Sequence, residues 1–138
     1  MEIIIKIDEP VKNSIGKSED MRSFSQYARF FDEGCFPKWH NNPEYNLMFL
    51  RQQQTYANDL LKTKGYVFLN DVYELLGIPK SKAGQVVGWI YDLENGDGDN
   101  YIDFGIYKLG NGEFVNGNKS SILLDFNVDG MILDKVYN

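Results

Sequence analysis

Three aspartates in the second half of the chain, Asp103, Asp125 and Asp129, are carboxylates that could share divalent cations. Residues 125–130 read DFNVDG and match the opening of an EF-hand calcium loop, but the twelfth position is Val136, where a bidentate Glu is required. Brought together, the three carboxylates could hold metal ions for phosphodiester hydrolysis. The chain has one histidine and no suitably spaced Glu to complete such a site. A metal-dependent nuclease or hydrolase is therefore the alternative interpretation, and turn formation by Asp, Asn and Gly is the simpler one.

A second group of acids stands out by its density. Residues 65–138 hold five Lys/Arg and eleven Asp/Glu, a net charge of −6, whereas residues 1–64 hold nine of each and are neutral. Five of the eleven acids fall within twelve residues, namely Asp92, Glu94, Asp97, Asp99 and Asp103. This stretch repels a phosphate backbone, so direct nucleic-acid binding is disfavoured and a basic protein surface or a metal ion is the better match. We expect these five residues to form a negatively charged binding surface.

Two other arrangements have weaker support. Residues 70–85 predict two short helices before a hairpin, an order similar to a winged helix-turn-helix, in which Lys80 and Lys82 could meet phosphates. Only Gln85 would face base edges there, so a structural corner is preferred. Cys35 and His40 could form a nucleophilic pair, but no acid is placed to orient the imidazole, and a buried thiol is more common. Catalysis stays open, and a non-catalytic protein is favoured.

The first half of the chain predicts one strand and three helices. Residues 2–7 are rich in Ile and predict a strand, and residues 21–33, preceded by Asp20, predict a helix. Asn42-Pro43 is a strong helix start and Gly65 a left-handed end, so a long helix is expected over residues 43–64. The stripe expected to face the core consists of Tyr45, Met48, Phe49, Gln52, Tyr56 and Leu60, flanked by Leu50, Ala57 and Leu61. Asn70 is expected to cap a short helix over residues 71–76.

The second half predicts an antiparallel β meander. A helical turn over residues 81–85 precedes a strand over 86–92, a loop, and a strand over 101–107. Residues 121–136 then give two apolar runs around Asp129-Gly130, the strongest short hairpin signal in the chain. Alternation places Ile102, Phe104 and Ile106 on the core face and Asp103 and Asp125 on the solvent face. The predicted fold class is α+β, with an N-terminal strand and helices packed on a C-terminal antiparallel meander.

Length and composition predict one domain over residues 1–138, in which residues 1–20 form either a strand of the sheet or a separate arm. Hydrophobic residues make up 43% and charged residues 25%, an ordinary globular composition. No apolar run approaches the ~18 residues that span a bilayer, and the start MEIIIKIDEP lacks the order of a signal peptide. The single Cys35 excludes an internal disulfide. A cytoplasmic protein without a membrane role is expected.

Several long phrases resemble an uncharacterised domain family of phage and prophage genomes. They are YARFFDE (residues 27–33), GYVFLNDVYELLG (65–77), DNYIDFGI (99–106) and ILLDFNVDG (122–130), and the likeness spans residues 24–134. Because no activity is assigned to this family, the resemblance implies no catalytic residues and no cofactor.

The phage resemblance suggests one function above the others. Small acidic phage proteins often occupy the basic nucleic-acid surface of a host defence enzyme, as anti-CRISPR inhibitors do. We therefore expect a non-catalytic inhibitor in the host cytoplasm whose partner is a basic host protein. A virion or assembly component is a further alternative.

Overall fold

The computed structural model describes residues 24–94 and 96–137. The predicted strand over residues 2–7 and the segment 1–20 lie outside this part. The helices are α1 (Pro43–Lys64), α2 (Leu69–Leu76), α3 (Gly112–Val115) and α4 (Leu133–Val136). The strands are β1 (Arg29–Phe31), β2 (Tyr66–Phe68), β3 (Val87–Ile90), β4 (Ile122–Leu124) and β5 (Gly130–Met131). The strands form two small antiparallel sheets, so the predicted α+β class is confirmed.

Helix α1 begins and ends where the sequence predicts. The Asn42 side chain accepts hydrogen bonds from the N–H groups of Glu44 and Tyr45 at 2.8 and 3.2 Å, and Pro43 occupies the first turn. At the other end Gly65 has φ 91°, a left-handed conformation that favours glycine, and its N–H bonds the carbonyl of Leu61. Local capping chemistry therefore fixes both ends of this 22-residue helix.

The buried face of α1 is centred on the flank of the predicted stripe rather than on the stripe itself. Its buried residues are Asn46, Leu50, Ala57 and Leu61. Tyr45, Met48 and Tyr56, which the sequence places toward the core, are 46, 61 and 49% exposed. Apolar residues lie on two sides of this helix, so periodicity alone could not decide which side meets the sheets.

The predicted helix over residues 21–33 is wrong within the described residues, because β1 lies there. It pairs with β4, with Phe30 opposite Leu123. The predicted hairpin at Asp129-Gly130 is also wrong: Gly130 begins β5, which pairs with β3 rather than with β4. Both errors have one cause, namely that strand partners distant in sequence override local propensity.

The segment over residues 101–107 is irregular and is buried only at its centre, residues 102–106, so the predicted C-terminal meander is not formed. Ile102, Phe104 and Ile106 do face the core, as the alternation predicts. Amide side chains of α1 take the place of a partner strand. Asn58 bonds both the N–H and the carbonyl of Ile102 at 2.7 and 2.9 Å, and Gln54 accepts from the N–H of Phe104 at 2.8 Å.

The corner after α2 is held by Asn70. Helix α2 begins one residue earlier than Asn70, so this residue is not the predicted cap. Its side chain instead accepts from the N–H of Ser81 and donates to the Ser81 carbonyl, both at 2.9 Å. A 3₁₀ turn over Ala83–Gln85 follows, and β3 confirms the strand predicted over residues 86–92.

One hydrophobic core joins both sheets and α1. Among its fully buried side chains are Phe31, Tyr73, Trp89, Phe104 and Phe114. Across the residues that the structure describes, no helix has the length and apolar character needed to cross a bilayer.

Candidate functional site

The acidic loop, defined here as residues 92–103, connects β3 to the buried segment at Ile102. Residue 95 lies outside the described part. At the start of the loop, the Asp92 N–H donates to Oδ1 of Asn100 at 2.7 Å, and the Gly96 N–H donates to the Asp92 carbonyl at 3.1 Å. Asn100 has φ 63°, a left-handed conformation that Asn tolerates better than most residues. These contacts join the two ends of the loop.

Asn127 anchors the far end of the loop. Its Nδ2 donates to Oδ2 of Asp99 and to the carbonyl of Tyr101, at 3.1 and 3.0 Å. Its Oδ1 accepts from the N–H of Asp103 at 2.8 Å and from the indole N–H of Trp89 at 2.9 Å. All four hydrogen-bonding positions of one amide are therefore used, two as donor and two as acceptor.

The five acids predicted as a binding surface divide into two groups. Glu94, Asp97 and Asp99 are exposed. Asp92 and Asp103 are half-buried, and their carboxylates accept hydrogen bonds within turns, from the N–H groups of Glu94 at 3.1 Å and Gly105 at 2.8 Å. The exposed carboxylates of Glu94 and Asp97 can face a partner, Asp99 is exposed while it also accepts from Asn127, and the other two acids shape the loop.

Asp129 lies beneath the loop and supports it. Its Oδ2 accepts from the Ile90 N–H at 3.0 Å. A Cβ atom at Gly98 would come within 2.5 Å of the Asp129 carboxylate, so the loop backbone passes directly over this group. Burial of the carboxylate raises the pKa of Asp129 above 3.8, against the lowering effect of hydrogen bonds from Ile90 and Asp99, and the nearby charge of Asp99 adds to the rise.

A groove of about 380 Å³ opens beside the loop. Ile90, Met131 and Ile132 give it apolar walls, while Asp97 and Lys135 contribute opposite charges. A partner that meets the exposed acids would therefore also find apolar surface within reach.

The three aspartates predicted as metal ligands make separate contacts. Asp125 is 4% exposed, not on the solvent face as predicted, and it pairs with Lys108 at 3.0 Å and accepts from the Ser25 N–H at 3.2 Å. Asp103 closes a turn and Asp129 bonds Ile90. Within residues 24–94 and 96–137, no group of three or more His, Cys, Asp or Glu is arranged to hold a metal ion.

Cys35 and His40 have different neighbours. Cys35 is buried, its thiol contacts the Phe30 carbonyl at 3.8 Å, and burial raises its pKa, which disfavours the nucleophilic thiolate. The ring of His40 packs edge-on against Tyr45 with the centroids 4.2 Å apart.

The predicted phosphate contacts lie on a corner with mixed charge. Lys80 forms a salt bridge with Glu74 at 3.2 Å, and Lys82 is exposed. The element after them is a three-residue 3₁₀ turn, which is too short to act as a recognition helix.

Sequence reasoning missed Asn58 and Asn127 as the residues that hold the loop. In the sequence, Asn127 is only the third residue of the calcium-like stretch DFNVDG, residues 125–130. The available signal at Asn58 was its place beside Ala57 and Leu61, because a polar amide near an apolar helix face must find a partner there.

Taken together, these features define a small α+β domain that presents an acidic loop fixed by asparagine side chains. The chain belongs to the family of unknown function DUF6353, whose model matches residues 2–136. The prediction that the chain belongs to an uncharacterised family is thereby confirmed, over nearly the whole chain. Comparisons with curated proteins and with solved structures gave no match.

Proposed function

We propose that this protein is a non-catalytic phage or prophage inhibitor that docks its acidic loop on the basic nucleic-acid-binding surface of a host defence enzyme. The observation that carries the proposal is the exposure of Glu94, Asp97 and Asp99 on a loop whose ends are fixed by Asn100 and Asn127.

The charge of the loop suits a cationic partner. Within the described part of the chain, no salt bridge involves Glu94, Asp97 or Asp99. Three negative charges within six residues therefore face solvent, in the half of the chain that carries the whole net charge of −6. Complementary charge speeds encounter and excludes a competing phosphate backbone from the same surface.

The fixed loop also lowers the cost of binding. A disordered acidic segment loses conformational entropy when it docks, about 1–2 kcal/mol for each residue whose backbone becomes fixed. Here the hydrogen bonds of Asn127, together with Asp129 beneath Gly98, already order the backbone that carries the acids. The contacts with a partner then do not have to offset the entropy of ordering the loop, so they contribute more fully to affinity.

The test is inhibition of purified defence nucleases that bind nucleic acid through basic channels. The protein is titrated into a panel of such enzymes, and cleavage of a labelled substrate is measured at low and high salt. We expect inhibition of at least one enzyme, and a loss of at least about tenfold in affinity between 50 and 500 mM salt, because salt screens exposed charges. Absence of inhibition throughout the panel at about 10 μM, an affinity typical of weak specific complexes, would contradict the proposal.

Charge-neutral variants identify the surface. The triple variant Glu94→Gln, Asp97→Asn, Asp99→Asn should lose at least about 30-fold in inhibition, or about 2 kcal/mol. The matched control Glu33→Gln, Glu74→Gln, Glu113→Gln removes the same charge from exposed positions on other elements and should inhibit like the unmodified protein. Equal inhibition by both triple variants would show that the loop is not the binding surface.

A further inference from the structure

Helix α1 presents a second face, with exposed Tyr and Met side chains among polar ones, that no described part of the chain covers. Tyr45, Met48 and Tyr56 lie on it, and Leu47 is half-buried at its edge. Tyr and Met, with Arg, are the residue types enriched at protein interfaces, and Arg51 is exposed beside them. Beside Met48 lies a shallow depression of about 590 Å³, which is lined by Glu44, Leu47, Met48, Arg51, Gln52 and Thr55.

The aromatic side chain at the start of this face is held in place before any partner binds. The Tyr45 ring stacks on Phe49 at 6.5 Å, and Phe49 stacks on the core residue Phe31 at 5.7 Å. His40 packs against the other side of Tyr45. Because the ring is already ordered, its contact with a partner costs little side-chain entropy.

The charges on this face can pair with those on the same face of a second copy. Glu44 and Arg51 both line the depression, and neither forms a salt bridge with another described residue. Residues seven apart lie on the same side of a helix, about two turns or ~10 Å along its axis. A two-fold axis between Leu47 and Met48 therefore brings Glu44 of one antiparallel helix level with Arg51 of the other.

We propose that this protein forms a symmetric dimer in which the first half of α1 packs antiparallel against α1 of a second copy. Met48 lies at the centre of this interface, and two Glu44–Arg51 salt bridges flank it. A two-fold interface must be self-complementary, and the order acid, apolar, base along one helix face satisfies that requirement. The acidic loop takes no part in this contact.

The expected affinity is modest. The two helices overlap over only about ten residues, so the dimer buries less surface than the ~1,600 Å² of a standard interface. We therefore expect a dissociation constant on the order of 100 μM. Sedimentation equilibrium of the full chain between about 1 μM and 1 mM should show the average mass rising from one chain toward two. A monomer throughout this range would overturn the proposal.

Charge reversal tests the pairing itself. Glu44→Arg or Arg51→Glu alone places like charges together twice and should weaken dimerisation at least about tenfold. The double variant Glu44→Arg, Arg51→Glu restores opposite charges and should return the dissociation constant to within about threefold of the original. The matched control Glu113→Arg reverses an exposed acid in the first turn of another helix and should leave dimerisation unchanged.

Three outcomes would refute this arrangement. One is a dimer insensitive to both single charge reversals. Another is failure of the double variant to recover while its circular dichroism shows an intact fold. The third is a monomer whose melting temperature falls on Met48→Lys, which would mean that another part of the same chain covers the face. The Glu94→Gln, Asp97→Asn, Asp99→Asn variant should dimerise normally, which separates this proposal from the inhibitory one.

Discussion

At the scale of single residues, asparagine side chains form the hydrogen bonds to backbone groups that a neighbouring strand forms in a regular sheet. Asn58 satisfies both backbone groups of Ile102, and Asn127 satisfies the Tyr101 carbonyl and the Asp103 N–H. Buried backbone groups need partners, and an amide side chain offers a donor and an acceptor together. The segment can therefore be buried without being a strand.

The first prediction concerns Asn127. Asn127→Ala removes every side-chain bond of this amide and leaves the Asp103 N–H and the Tyr101 carbonyl without these partners. We expect a loss of about 1–2 kcal/mol in the free energy of unfolding, because an unsatisfied part-buried N–H costs about 1–3 kcal/mol while the more exposed Tyr101 carbonyl can bind water instead. Urea denaturation measures it. The exposed Asn118→Ala serves as control and should change stability by less than about 0.5 kcal/mol; an equal effect of both substitutions would contradict the anchoring role.

The second prediction concerns the pH dependence that Asp129 introduces. Because its folded-state pKa is raised above 3.8, the folded protein retains a proton that the unfolded chain releases. The free energy of unfolding contributed by this group is therefore highest below pH 3.8 and falls as the pH rises from there through the raised pKa.

Asp129→Asn removes this titration and keeps an oxygen that can accept from the Ile90 N–H. The variant should gain stability relative to the unmodified protein as the pH rises through that window. Urea denaturation of both proteins at closely spaced pH values measures the difference. A difference that stays constant with pH, or that changes in the opposite direction, would show that the carboxylate is not buried by the loop.

At the scale of elements, helix α1 and strand β3 formed as predicted, whereas the Asp129-Gly130 hairpin, which also had a strong local signal, did not. Helix α1 has a capping Asn42 and a terminal Gly65, and strand β3 follows a clear change to Val, Trp and Ile. Strand β1 had a misleading local pattern, because Phe24, Ala28 and Phe31 fit a helical period. Its pairing with β4, about ninety residues away, was not visible in any local window.

The third prediction concerns how the acidic loop is seated. Gly98→Ala would place a methyl group within 2.5 Å of the Asp129 carboxylate, which is held by Ile90 and cannot move freely. We expect a loss of about 1–2 kcal/mol in unfolding free energy, as for other overpacked positions, and weaker inhibition because Asp97 and Asp99 shift. Thermal denaturation and the nuclease assay measure the two effects.

The control for this substitution is Gly112→Ala. Gly112 lies at the start of α3, where a new Cβ meets no atom within 4 Å. It should be neutral or slightly stabilising, since Ala favours helix more than Gly does. If Gly98→Ala behaves in the same way, the loop is not seated on Asp129.

At the scale of the whole molecule, one core joins elements that are distant in the sequence. Trp39 precedes α1 in the sequence and Trp89 follows α2, yet both side chains belong to this core. The fourth prediction is therefore a single cooperative unfolding transition. Tryptophan fluorescence and far-ultraviolet circular dichroism should give the same midpoint in urea, because neither sheet has a core of its own. Two separated transitions would show that the sheets unfold independently.

The sequence by itself determined the fold class, both ends of α1, the inward face of residues 101–107 and the concentration of acids in the second half. These depend on local caps, alternation and composition, which a short window contains. Only the tertiary structure decided which face of α1 is buried, that β1 pairs with β4, and that Asp125 lies inside while Glu94, Asp97 and Asp99 lie outside. Those outcomes depend on which distant groups satisfy each buried N–H and carbonyl, and no local pattern specifies that choice.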